Sequence, residues 1–227
     1  MRAFDYIAAR DSRHAVALLA EHGADARVLA GGTDLLVELK GASPVPRVVI
    51  DISRIAEMQQ IELTAQGLRI GATVTHAAIM QSALVREFCP VLIDAAHTIG
   101  AAQTRNLGTL GGNLVTCVPS LDSGPALVAL DAMVTITGPG GDKTIPLAEF
   151  FVGPRKTILT ADELLVAIVV PKENLGKPAA FLKFGLRKGQ ALALVNVAVS
   201  AHIAGDVAVF RDTRIARGAV APQVMRA

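Results

Sequence analysis

"VLAGGTDLLVELK", residues 28–40, decides how the N-terminal part of the chain is built. "RVLA" (27–30) is a short apolar run that reads as a buried strand, and Gly31 and Gly32 break it at once. "DLLVELK" then resumes helical spacing, with Asp34 placed to cap the helix. "RVVIDIS" (47–53) follows as a β-branched strand. A helix between two strands predicts a small parallel βαβ unit. Just upstream, "DSRHAVALLAEHG" predicts another helix. Asp11 or Ser12 caps it, Ala15, Leu18, Leu19 and His22 fall near one face, and Gly23 stops it.

The glycine pair carries more than a turn. Without a side chain the backbone approaches a ligand closely and aims several N–H groups at one anion. Between a strand and a helix, such a turn adds the positive end of the helix. Thr33 supplies a hydroxyl donor. A second stretch, "GTLGGNLV" (108–115), holds three glycines in eight residues, with Thr109 and Asn113 as its polar side chains. Each stretch alone also reads as ordinary structure: AGGT as a plain turn, GGN as a tight bend at a sheet corner. Together they point to one ligand with two phosphate groups, gripped by two loops.

Beyond residue 58 the pattern changes. "QQIELTAQGLRIGA" alternates on both sides of a glycine turn, as an antiparallel hairpin does. "THAAIMQSALV" reads as a short helix, and Pro90 punctuates before "VLIDAAHTIG". Asp122 and Asp131 flank a helix, Asp131 being its exposed end, and "MVTIT" (133–137) is a strand closed by the turn "GPGGD". "LLVAIVVP" (164–171) is a buried strand. "KENLGKPA" (172–179) is polar, broken by Gly176 and Pro178, and reads as a linker. The remainder, including "VAVFRD" (207–212), reads as strands with one possible helix. The expected units are an N-terminal subdomain (1–57), a second subdomain (58–171) and a short C-terminal domain (178–227).

Composition narrows the function classes. The chain has 227 residues and a net charge of +2, so no strong field steers nucleic acid or an anionic membrane. Its longest apolar run (191–204) is shorter than the ~20 residues of a spanning helix, and "MRAFDYIAARDS" lacks the apolar core of a signal peptide. The expected location is the cytoplasm. Cys89 and Cys117 form no CxxC, so zinc or iron–sulfur ligation within the chain is not expected. A disulfide between them stays open, a reduced pair being the plainer reading. The histidines, 14, 22, 76, 97 and 202, show no ligand spacing and read as surface or satisfied core residues. No nucleophile–base pair is apparent, so a cofactor is expected to bring any chemistry.

"VLAGGTDLLVELK" and "RNLGTLGGNLVTCVPSLDSGPALVALDA" closely resemble the two FAD-binding motifs of the medium, flavin-carrying subunit of molybdenum hydroxylases. "LTADELLVAIVVP" and "FLKFGLRKGQALALVNVAV" resemble later segments of that family, in order. The resemblance implies an α+β, two-subdomain FAD-binding fold: a parallel βαβ unit plus a mixed or antiparallel sheet with helices. A short C-terminal antiparallel α/β domain would follow. It implies that Val28, Leu29, Ala30, Gly31, Gly32, Thr33 and Asp34, with Thr109, Leu110, Gly111, Gly112 and Asn113, surround the pyrophosphate. It places Asp122 on the adenosine side, Ile99, Leu164 and Leu165 against the cofactor, and Lys183 close to the flavin end. Ordinary strand core is the other reading for Leu164 and Leu165.

The resemblance also implies a division of labour. A large subunit would hold the molybdenum cofactor, a small subunit two [2Fe-2S] clusters, and this chain FAD, in a heterotrimer or dimer of heterotrimers. Electrons would leave FAD for an external acceptor. Two departures stand out. Gln190 and Ala191 occupy positions where relatives often carry an acidic or aromatic residue, and relatives continue beyond the segment corresponding to "VAPQVMRA" with a helical tail. The other readings are a self-contained flavoprotein reductase or oxidase and a structural subunit that has lost FAD.

Overall fold

The computed structural model describes residues 3–41, 45–204 and 209–227. Strand β1 (Asp5–Ala8), helix α1 (Ser12–His22), strand β2 (Ala26–Leu29), helix α2 (Leu35–Lys40) and strand β3 (Val48–Asp51) form the first layer. The sheet is wholly parallel, in the order β1-β3-β2. The βαβ reading therefore holds for β2–α2–β3, and β1 is an addition to it. β1 has no apolar periodicity because its residues are mostly exposed, with Tyr6 reaching Asp51 through its hydroxyl at 2.5 Å. α1 is capped by Asp11, whose carboxylate accepts from the His14 N–H at 2.7 Å, and it ends at Gly23, φ +51°. Ala15, Val16, Leu18 and Leu19 are its buried stripe.

The second layer starts with the hairpin β4 (Ile61–Leu63) and β5 (Gly67–Gly71), antiparallel as the alternation predicts. Five short helices follow: α3 (His76–Gln81), α4 (Ala83–Phe88), α5 (Pro90–His97), α6 (Ala102–Leu107) and α7 (Leu110–Thr116). Then come α8 (Ser123–Ala129), β6 (Met133–Gly138), β7 (Gly141–Pro146), α9 (Leu147–Phe150), β8 (Phe151–Gly153), β9 (Lys156–Thr157) and β10 (Leu164–Pro171). β10 lies at the centre of a five-stranded sheet ordered β4-β5-β10-β6-β7. The core runs from this sheet across α1, α5, α7 and α8, with Leu68, Ile70, Leu92, Leu114, Leu127, Ile136 and Ile168 fully buried.

"GTLGGNLV" is the element that sequence pattern hides. It is not a bend at a sheet corner but the start of α7, with Thr109 as its cap: the hydroxyl accepts from the Gly112 N–H at 3.0 Å.

The C-terminal segment is an antiparallel sheet of β11 (Ala179–Gly185), β12 (Ala193–Ala204), β13 (Val209–Gly218) and β14 (Met225–Arg226). Residues 207–208 of the strand read from "VAVFRD" lie outside the described residues. No helix occurs among the described residues after 178; α5 and α8 pack against this sheet instead. Residues 172–178 are no free linker either. Asn174 is buried, donates to the Leu130 carbonyl at 3.0 Å and accepts from Arg214 at 2.6 Å. The Gly176 N–H bonds Phe88 O at 2.8 Å, and buried Lys177 meets Asp212 at 2.7 Å. Asp131, left-handed at φ +49°, is clamped by Arg214 and Arg226 rather than standing free.

Candidate functional site

A cleft of about 860 Å³ opens between the two glycine stretches. One wall is the turn that follows β2, the other the start of α7, and β10 and the loop before β12 complete it. The volume is within the range of cofactor sites.

The glycine-rich stretches meet each other before they meet any ligand. A methyl on Gly31 would sit 1.9 Å from Leu107 O, and one on Gly111 would sit 2.7 Å from Ala72 O. Both glycines exist so that main chain can lie on main chain. Gly32 is required differently, by its φ of +71°. Gly112 is open except for the Thr109 hydroxyl, 2.8 Å from where a methyl would be.

The stretches also differ in what they offer. Among the described residues, the N–H groups of Gly31, Gly32, Thr33, Asp34 and Leu35 have no acceptor in the protein. The first turn is thus a run of uncommitted main-chain donors on residues that line the cleft. In the second stretch, Leu110 N bonds Val74 O, Gly111 N bonds Ala72 O, and Asn113 N bonds Thr109 O. Among the described residues only the Thr109 N–H of this stretch is left without a protein acceptor, so the stretch offers fewer main-chain donors than the first and contributes chiefly side chains. Asn113 accepts from Ser123 Oγ at 2.5 Å through Oδ1, which leaves its Nδ2 to donate. Asp34 heads α2 without a side-chain capping bond, also contrary to expectation. Burial and nearby Glu38 raise its carboxyl above the usual range, against the pull of Arg155.

At another part of the cleft Asp122 is held in place by buried groups. Lys183 Nζ donates to its Oδ2 at 2.6 Å and Asn196 Nδ2 to its Oδ1 at 2.8 Å. The Asp122 and Lys183 side chains are each 7% exposed. Burial pushes the Asp122 carboxyl above the usual range, and the lysine, the asparagine and the Thr98 hydroxyl pull it back. Lys183 also donates to Thr98 O at 3.1 Å. This pair corrects one expectation: Asp122 and Lys183 cannot serve opposite ends of an extended dinucleotide when they form one ion pair. Asp122 faces the cleft and Lys183 stands behind it.

Val28, Ala30 to Asp34, Ile99, Thr109, Gly111 to Asn113, Asp122, Leu164 and Leu165 all line the cleft. Leu29, Leu110 and Lys183 do not; Leu110 is fully buried in the core, and Leu29 packs beside Gly32. Sequence reasoning missed His76, Thr104 and the segment Arg155–Thr157 as lining residues. Neither Thr104 nor 155–157 carries a local signal of this role. Nor does His76, which opens a short helix and shows no ligand spacing.

Residues 2–173 match the model of the FAD binding domain in molybdopterin dehydrogenase, and the chain belongs to this family. It is similar to the xanthine dehydrogenase FAD-binding subunit of Escherichia coli O157:H7, 35% identical over 216 residues, which cover 93% of this chain and 72% of that protein. It is 34% identical to the carbon monoxide dehydrogenase medium chain of Hydrogenophaga pseudoflava, over 98% of this chain and 77% of the relative. The solved structure of that organism's carbon monoxide dehydrogenase lacking the Mo-pyranopterin moiety matches with a TM-score of 0.94, over 99% of this chain and 77% of the other. Quinoline 2-oxidoreductase from Pseudomonas putida 86 matches at 0.92 with 28% identity, over 99% and 77%. The family resemblance drawn from the glycine motifs and the two-subdomain fold are thereby borne out. Among the described residues no helix is long and apolar enough to cross a membrane, and no cluster of side chains is suited to a metal ion.

Proposed function

We propose that this chain holds FAD as the electron-transfer subunit of a cytoplasmic molybdenum hydroxylase complex. The observation that carries the proposal is the run of five main-chain N–H groups, Gly31 to Leu35, without acceptors among the described residues, on the wall of a dinucleotide-sized cleft. These donors, with the Thr33 hydroxyl and the Asn113 amide, hold the diphosphate. Ile99, Leu164 and Leu165 exclude water from the ligand's apolar parts. Asp122 accepts ligand hydroxyls, fixed in orientation by Lys183 and Asn196. When bound, FAD accepts electrons singly and releases them in pairs.

Partner subunits complete the assembly: a small subunit with [2Fe-2S] clusters delivers electrons, and a large subunit with the molybdenum cofactor oxidises the substrate. The similarity to dehydrogenase subunits supports this division. The chain, expressed alone, is tested for one acid-releasable FAD per chain and for oxidation of soluble substrates. It is then mixed with the two candidate partners. A yellow chain, inactive alone and retained by both partners, is the expected result. A colourless chain that takes up no added FAD, or one that turns over a substrate unaided, would sink the proposal.

A further inference from the structure

His76 is the one histidine of five that is buried, at 2% exposure. Its Nδ1 is fully enclosed and has no hydrogen-bond partner among the described residues. The ring is held in place through its own main chain, since His76 N donates to Gly108 O at 3.0 Å. A side chain on Gly108 would come within 3.5 Å of the imidazole Cδ2 and 3.6 Å of the Thr33 hydroxyl. The bare Gly108 therefore leaves the Cδ2–Nε2 edge of the ring and Thr33 Oγ1 facing one small space. His76, Thr33, Thr104 and Gly108 all line the cleft there.

Nδ1 is sealed within the protein, whereas Nε2 is not among the enclosed atoms, so Nε2 is the ring atom left to meet a ligand. Burial, with the Arg105 guanidinium nearby, pulls the imidazole down to about 4, so the ring is neutral. Of its two nitrogens only Nε2 has room for a partner, so the proton belongs there, where it can be donated. Thr33 supplies a second donor across the same space.

We propose that His76 is a cofactor-binding residue whose Nε2–H donates to a diphosphate oxygen of FAD at the junction of the two glycine stretches. This rests on the reading of the chain as an FAD-binding subunit. It gives a buried ring a task that spacing along the chain does not reveal.

The test uses the full chain stripped of flavin, with FAD binding followed by fluorescence and by phosphorus NMR of the bound diphosphate. His76→Gln keeps a donor near the Nε2 position, while His76→Leu fills the space without one. A hydrogen bond to a charged oxygen predicts roughly 10- to 100-fold weaker binding for His76→Leu and at most about 3-fold for His76→Gln. The phosphorus resonances shift in the Leu variant and stay in place in the Gln variant. Equal losses in both variants, or wild-type affinity with unshifted resonances in His76→Leu, would overturn the assignment. If His76→Leu does not fold, wild-type protein with isotopically labelled imidazole decides: FAD addition shifts the His76 Nε2 resonance, and an unmoved resonance refutes the contact. Wild-type chain that binds no FAD would overturn both this inference and the function it rests on.

Discussion

Gly31→Ala separates two reasons for a glycine. If Gly31 serves only to bring a ligand close, the free protein should tolerate a methyl group. The geometry says otherwise: the new Cβ would stand 1.9 Å from Leu107 O and 2.6 Å from Leu107 C. Both are main-chain atoms and cannot swing aside. Ordinary contact begins near 3.4 Å, so the turn would have to retreat from α6 by about 1.5 Å. Overpacking of this kind costs typically about 1–3 kcal/mol. For a chain of this size, about 2 kcal/mol lowers the melting temperature by roughly 4–8 °C. FAD affinity should fall with it, because the displaced turn carries the free N–H groups. Gly112→Ala is the control. Its methyl meets only the Thr109 hydroxyl, which rotates away, and helix propensity gains about 1 kcal/mol while the cap loses about as much. That variant should melt within about 3 °C of wild type, yet bind FAD more weakly, because the methyl points into the cleft. Thermal denaturation of both apo proteins, followed by flavin fluorescence titration, makes the comparison. A Gly31→Ala apo protein that melts with wild type while losing FAD would refute the reasoning.

Lys183→Met should leave the Asp122 carboxylate buried without its counter-charge, at about 3–5 kcal/mol near neutral pH. The folded-state carboxyl, already raised by burial, then rises further, so the folded protein binds the proton more tightly than the unfolded chain. The deficit is smallest in acid, below the unfolded value near 4, and grows as pH rises through the folded value. Denaturant unfolding at about pH 4.5 and 7.5 measures this, and a deficit that shrinks with rising pH would contradict it. Asn174→Ala removes the bonds to Leu130 O and Arg214, destabilising by about 1–3 kcal/mol and exposing residues 172–178 to limited proteolysis before the rest of the chain. Cleavage no faster than in wild type would show that the segment is held by other contacts.

Much of this architecture was legible in the residues. α1 announced itself by Asp11, its apolar stripe and Gly23. The β4–β5 hairpin showed in its alternation, and β10 in an unbroken apolar run. β1 was not legible, because an exposed edge strand needs no apolar pattern. α7 was masked by its glycines, which read as a turn until Ala72 and the Thr109 cap explain them. The segment 172–178 looked like a linker because its anchors, Leu130, Phe88 and Asp212, lie far away in sequence. The same distance hides the Asp122–Lys183 pair. Spacing reports which side chains share an element, whereas an ion pair across two elements exists only once they pack. His76 failed to register for a further reason: its place on the cleft wall depends on packing against Gly108, far away in sequence.

The seating of Gly31 against Leu107 bears on the order of events in the cell. Neither glycine stretch is a complete receptor by itself, and the later one leaves the ribosome long after the first. The cleft therefore comes into being only when both halves have docked. Flavin therefore meets its full set of contacts only once both halves have been made and packed together.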